Sequence, residues 1–191
     1  MSETSEKILQ AALDLMQAKG FDSVTTKEIA EEAGVSEMTI YRHFRTKKGV
    51  LEAAINKYSY VPCFQHLFEE KINWNIEQDL ELFSTSYLEL MKRNKPIFLI
   101  SIHERTTMPE IYELISKNTL ELKSYLSTYL ANMHEKGLIQ IQDAEMQATV
   151  YLTTLYGYFS SIATWENHFL FDQKDIFIKT LIQSFCNGVR I

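Results

Sequence analysis

The chain has 191 residues, 46% of them hydrophobic and 23% charged, with only 6 Gly and 3 Pro. This balance excludes a disordered, collagen-like or low-complexity chain. Lys plus Arg number 19 against 25 Asp plus Glu, a formal net charge of −6, which excludes coating of nucleic acid by bulk charge but leaves room for a small local basic surface.

The N-terminal residues Met1 to Lys7 are polar and read as no signal peptide. Hydrophobic residues Ile8, Leu9, Ala12, Leu13, Leu15 and Met16 then recur at three- and four-residue spacing and predict a first helix, closed by Gly20. A short second helix starts near Thr25 or Thr26. Thr25 and Glu28 have capping-box spacing, Ile29, Ala30 and Ala33 face inward, and Gly34 ends it. Ser36 caps a third helix, Glu37 to Phe44, and Thr46 a fourth that opens with Lys47 and Lys48.

Composition changes near residue 58. Of the 2 Trp, 10 Tyr and 11 Phe, only Phe21, Tyr41 and Phe44 lie in residues 1–57, and the acidic excess lies mostly beyond them. Pro62 either bends the fourth helix or ends it, and Tyr58 to Phe64 is read as a joint between the two parts. Further helices are expected at about 77–94, 97–106, 109–136, 143–169 and 173–188. The most apolar short run, Ile97 to Ile100, falls far short of the ~20 residues of a membrane helix. Two cysteines, Cys63 and Cys186, are too few for a secreted disulfide framework, so two buried free thiols in a reducing cytoplasm are expected.

The stretch from Thr25 to Lys48 carries the functional signal. Helix, tight turn and helix follow one another. Small Ala30 and Ala33 allow close approach, Gly34 tolerates positive φ, and Val35 and Ile40 fill the wedge. This is helix-turn-helix geometry, in which the second helix enters the DNA major groove. Thr39, Tyr41, Arg42 and His43 present groups that bind phosphates and base edges. Arg42, Arg45, Lys47 and Lys48 place four positive charges within seven residues, and Lys47 stands at a helix N-terminus that favours phosphate. The alternative is a surface helical hairpin whose charges are merely solvated.

With these residues in view, the chain resembles the tetracycline-repressor-like (TetR) family of bacterial transcription regulators. The match rests on Ile8 to Phe21, Thr25 to Ala33, Gly34 to Ser36, Thr39 to Tyr41, His43, Phe44 and Lys47. The resemblance implies that Thr39, Tyr41, His43 and Lys47 contact operator DNA, with Thr26 and Lys27 at a phosphate-contacting helix start. Ser36, Glu37, Met38 and Arg42 complete the candidate DNA-binding set. Met38 stands where family members are often small or polar, Gly49 weakens the fourth helix, and Glu37 either reads a cytosine or repels wrong bases.

The implied fold is all-α: an N-terminal three-helix helix-turn-helix DNA-binding domain over residues 1–57 and a C-terminal helical ligand-binding and dimerisation domain over 58–191. Aromatic side chains with a few polar groups line small-molecule pockets. The ligand candidates are Phe64, Phe68, Phe83, Tyr87, His103, Tyr125 and Tyr156, although any one of these aromatics reads first as ordinary core. Glu104, Arg105 and Asn118 are further polar candidates. His66, His134 and His168 read as surface or core groups.

In the 143–169 helix, Thr149, Thr153, Gly157, Ser160 and Thr164 form a ridge of small residues. With Phe177, Leu181 and Phe185 of the last helix they are the expected dimer interface; packing within one chain is the alternative. No nucleophile elbow, phosphate loop, zinc signature or dinucleotide fingerprint appears, so neither an enzyme nor a cofactor or metal site is expected. The expected protein is a cytoplasmic homodimeric repressor. It binds a palindromic double-stranded operator, is released by a small hydrophobic or aromatic effector, and has no membrane partner. The sequence does not encode the sign of regulation.

Overall fold

The structure, a computed structural model, describes residues 2–59, 61–165 and 173–189. All regular structure among them is helical. The helices are α1 (Glu3–Lys19), α2 (Thr26–Ala33), α3 (Glu37–Phe44), α4 (Lys47–Lys57), α5 (Val61–Glu70), α6 (Ile76–Arg93), α7 (Lys95–His103), α8 (Pro109–Glu135), α9 (Ala144–Trp165) and α10 (Lys174–Val189). No helix among the described residues is long and apolar enough to cross a membrane.

The chain folds into two compact units. One is Met1–Ser59 with Asn94–Ser116, and the other is Tyr60–Arg93 with Lys117–Ile191. The first is larger than the 57 residues expected, for a packing reason. The predicted stripe of α1 buries Ile8, Leu9, Ala12, Leu13 and Met16, and α2, α4 and α7 all pack on α1. Ile97 and Ile100 of α7, Met108 and Ile111 join the same core as Ile29, Ile40, Val50 and Leu51. Covering an α1 that is apolar on more than one side takes a helix from outside the helix-turn-helix.

The short helices have strong local signals. Ser2, Thr25, Ser36 and Thr46 each cap a helix by accepting a backbone N–H three residues on. Thr25 and Glu28 complete the capping box in both directions. At the turn, Gly34 has φ 66° and ψ 36°, the left-handed conformation that its sequence position anticipated. Gly49 does not weaken α4; it is required there. A Cβ on it would stand 2.2 Å from the Phe44 carbonyl oxygen, inside any permitted contact.

Pro62 neither kinks α4 nor lies within it. Tyr58 caps α4, and Pro62 sits in the first turn of a separate helix, α5, where its missing N–H has no helical partner to lose. Asn94 Nδ2 donates to the Tyr58 carbonyl at 2.9 Å and satisfies that helix end. Of the thiols, Cys186 is buried and Cys63 is exposed, both free.

In the second unit α6 packs against α9 and α10. Its buried face is formed by Leu80, Phe83, Tyr87, Leu88 and Met91. Leu122, Leu126, Tyr129 and Leu130 of α8 and Tyr151, Leu155 and Phe159 of α9 are buried as well. Residues 166–169, the expected end of α9, and His168 lie outside the described residues.

Candidate functional site

The helix-turn-helix is held by side-chain bonds as well as by its core. Thr26 Oγ1 donates to Glu37 Oε1 and ties the start of α2 to the start of α3. This engages both a candidate phosphate contact and the residue expected to read a cytosine or repel wrong bases, so Glu37 acts first as a brace. Ser36 Oγ accepts the Thr39 N–H at 3.2 Å and pairs with Thr39 Oγ1 at 2.9 Å. Ser5 Oγ and His43 Nδ1 share a 3.3 Å hydrogen bond, which fixes the imidazole against α1.

Ile40 is completely buried, while the opposite face of α3 stands open, with Met38 74% exposed and Tyr41, Arg42 and His43 also exposed. The helix therefore has the two faces that its sequence predicts. A methionine this exposed offers only apolar contact, and the remaining outward groups are a phenol, a guanidinium and an imidazole.

The four expected cations divide into two kinds. Arg42 and Arg45 are exposed and make no ion pair among the described residues. Lys48 pairs with Glu110 at 2.6 Å and with Glu52 at 3.7 Å. Lys47 departs from the expectation of a phosphate-seeking ammonium. Its Nζ lies 2.7 Å from each of the Phe21 and Val24 carbonyl oxygens and 4.2 Å over the Phe21 ring. The Asp22 carbonyl oxygen lies 3.4 Å away, so three backbone acceptors and an aromatic face hold this cation to the turn. Lys27, 4.0 Å from Glu31 on an exposed surface, stays available to an anion.

Arg45 takes positive φ, 66°, just after α3. A long charged side chain held in that region carries backbone strain beside the outward face.

In the second unit the structure brings most of the ligand candidates together. Phe64 and Phe83 lie 5.1 Å apart between ring centroids, Phe68 and Tyr125 6.2 Å, and Phe83 and Tyr87 6.4 Å. The sequence did not single out Tyr129, which joins Phe68 at 5.7 Å and Trp74 at 6.0 Å. Two buried polar pairs stand among these rings. Tyr129 Oη donates to Asp79 Oδ2 at 2.8 Å, and Ser84 Oγ and Tyr151 Oη are 2.7 Å apart. Asp79 is 3% exposed and also accepts the Asn73 N–H at 2.9 Å. Burial, reinforced by the Asp79 hydrogen bond, pushes the Tyr129 phenol far above its ordinary range, so it stays a donor. Nothing in sequence spacing marks these partners, because they lie 50 and 67 residues apart.

The remaining candidates are His103 and Tyr156. His103 belongs to the first unit, beside Glu104. Tyr156 is an exposed residue of α9. Tyr112 and Trp165 are exposed too, and Phe98 is buried.

The expected dimer set also divides. On α9 an open stripe runs through Met146, Val150, Thr153, Gly157, Ser160 and Thr164, spaced three and four apart, opposite buried Leu152, Leu155 and Phe159. The hydroxyls of Thr149, Thr154, Ser160, Ser161 and Thr164 all donate to carbonyls of their own helix. On α10, Phe177 stacks on Tyr158 at 3.9 Å and Phe185 meets Tyr151 edge-on at 5.1 Å. Both rings are committed within the chain, and Leu181 is half-buried.

Comparison with known proteins adds the following. Residues 8–54 match the family described as bacterial regulatory proteins, tetR family, and residues 78–173 match the AefR-like transcriptional repressor C-terminal domain. The HTH-type transcriptional regulator YvkB of Bacillus subtilis is 35% identical over 159 residues, 83% of this chain and 82% of that protein. IcaR of Staphylococcus aureus, the HTH-type negative transcriptional regulator of a biofilm operon, is 21% identical over 77% of this chain and 78% of its own. Among solved structures, the transcriptional regulator FadR of Bacillus subtilis in complex with stearoyl-CoA superimposes with a TM-score of 0.74. It is 19% identical over 96% of this chain and 98% of that one, a likeness of fold.

Proposed function

Because the chain belongs to the tetR family of bacterial regulatory proteins, we propose that it represses transcription as a cytoplasmic homodimer bound to a palindromic operator, and that a small hydrophobic or aromatic effector releases it. The observation that carries this reading is α3. Its aliphatic side is buried at Ile40, while Met38, Tyr41 and Arg42 stand exposed beside the unpaired Arg45. In this reading Arg42 and Tyr41 meet phosphates and base edges, and Met38 lies against a thymine methyl, the one apolar feature of a base edge in the major groove. Lys27, Arg42 and Arg45 supply the local field. The amides of Lys47 and Lys48, at the start of α4, face a phosphate in place of the Lys47 ammonium.

The open stripe of α9 supports the dimer. The Ser160 and Thr164 hydroxyls of that stripe are satisfied within the helix, so a second copy can cover them without stranding those groups, and Gly157 allows close approach. Two recognition helices about 34–36 Å apart would then read two half-sites. The Phe64, Phe68, Phe83, Tyr87 and Tyr125 cluster supports an apolar effector. The fold's likeness to a regulator solved with stearoyl-CoA favours the same chemical class.

The test is selection of duplexes from a random pool, followed by titration of the selected site at several salt concentrations. A palindromic consensus is expected, with affinity falling steeply as salt rises. No enrichment at low ionic strength would overturn the reading.

A further inference from the structure

The groups holding the turn between α1 and α2 come from two sides. On one side is Lys47 at the start of α4, its ammonium on the Phe21 and Val24 carbonyls. On the other is Glu104, just past α7, 4% exposed, whose Oε1 accepts the Phe21 N–H at 3.1 Å. Phe21 is thus bracketed, its N–H on a carboxylate and its C=O on an ammonium. The turn has little of its own to hold it: one 3.2 Å bond from the Val24 N–H to the Phe21 carbonyl, preceded by Gly20 in a conformation of positive φ.

Ordinary capping does not account for Glu104. A carboxylate at a helix C-terminus opposes the helix dipole, and burying it is costly. The cost is offset because Glu104 collects three donors, the Phe21 N–H, the Thr107 hydroxyl and His103 Nδ1 at 3.1 Å. Only the first reaches outside its own corner of the chain, and it reaches the turn that seats Lys47.

We propose that Glu104 is a positioning residue for DNA binding: from the corner between α7 and α8 it fixes the Phe21 turn and, through it, Lys47 and the start of α4, so that the affinity of α3 for DNA is set by a residue outside the helix-turn-helix. The inference rests on the regulator reading above. It makes residues 94–116 part of the DNA-binding apparatus rather than packing beneath it.

The test uses the full chain as wild type, E104A, E104Q, K47M and the double variant E104A/K47M, at a temperature where circular dichroism shows each folded. Two readouts are taken: hydrogen exchange of the Phe21 amide, without DNA, and affinity for the duplex that the wild type selects. E104A should speed Phe21 exchange and weaken duplex binding by about tenfold each, the scale of losing one hydrogen bond to a charged group. E104Q, isosteric but neutral, should fall between, and it carries the comparison if E104A does not fold. The double variant should bind no more weakly than K47M alone, because both substitutions cut one chain of bonds.

A folded E104A or E104Q with wild-type affinity overturns the proposal, and so do losses that simply multiply in the double variant. Unchanged Phe21 exchange in E104A overturns the latch by itself. A wild type that selects no duplex overturns the regulator reading, an outcome the exchange measurement separates from failure of the latch.

Discussion

Two residues show how far a local reading reaches. Gly49 looks like a poor helix former in the first turn of α4. Its reason is the Phe44 carbonyl, 2.2 Å from where a Cβ would stand. Gly49→Ala should therefore destabilise the protein by about 2 kcal/mol, the scale of forced overpacking, although alanine is the better helix former. Thermal or denaturant unfolding checks it; a more stable variant would show that α4 can shift. Met38 makes the opposite case, since its 74% exposure serves nothing inside the protein. Replacing thymine by uracil across the selected duplex should weaken the wild type severalfold, as expected for a lost methyl contact, and leave Met38→Ala nearly unaffected. Equal losses for both proteins would remove Met38 from base reading.

At the scale of elements, the short helices of the first unit depend on their caps. Eight residues make a marginal helix in isolation, and α2 is held by the Thr25–Glu28 box. The Lys19 hydrogen bond, with those of the Thr25 N–H and hydroxyl, draws the Glu28 carboxyl down to about 2. Burial pushes Glu104 up, but the hydrogen bonds from Thr107, Phe21 and His103 outweigh it and leave that carboxyl below its ordinary value. A lowered folded-state value means stability that is complete above the unfolded value, near 4.5, and drains away as pH falls toward the folded one. Unfolding free energy should thus decline below about pH 4.5. Thr25→Ala should cost about 1 kcal/mol at neutral pH and flatten that decline; denaturant midpoints at neutral and acid pH measure both. On α9, Gly157→Leu should block close approach and shift the dimer toward monomer, visible in solution mass. A wild type that is monomeric at micromolar concentration would overturn the dimer itself.

For the molecule as a whole, the division into units has a direct consequence. Ile97, Ile100, Met108 and Ile111 complete the core that α1 to α4 leave open. Burying such side chains is worth ~1.5–3 kcal/mol each, so removing all four approaches the ~5–15 kcal/mol that holds a domain folded. Residues 1–59 made alone should therefore be largely unfolded by circular dichroism; a cooperative, native-like melt of that fragment would contradict this.

The sequence by itself determined whatever depends on neighbours within a few turns: most of the helices, the caps at Thr25, Ser36 and Thr46, the left-handed turn at Gly34, the two faces of α3 and the family. Hydrophobic periodicity and capping are local physics, so each can be read from spacing alone. Spacing did not reveal α5, because Pro62 reads as an ending until the chain is seen to restart at it. Only the tertiary structure decided which charges are free, since Lys47 and Lys48 look the same in sequence as Arg42 and Arg45 until their partners are known. It also set Glu104 and His103 beside the α1–α2 turn, paired Asp79 with Tyr129, and packed Phe177 and Phe185 on the Tyr158 and Tyr151 rings. These contacts join residues tens of positions apart, where chain connectivity carries no information and packing alone selects the partner.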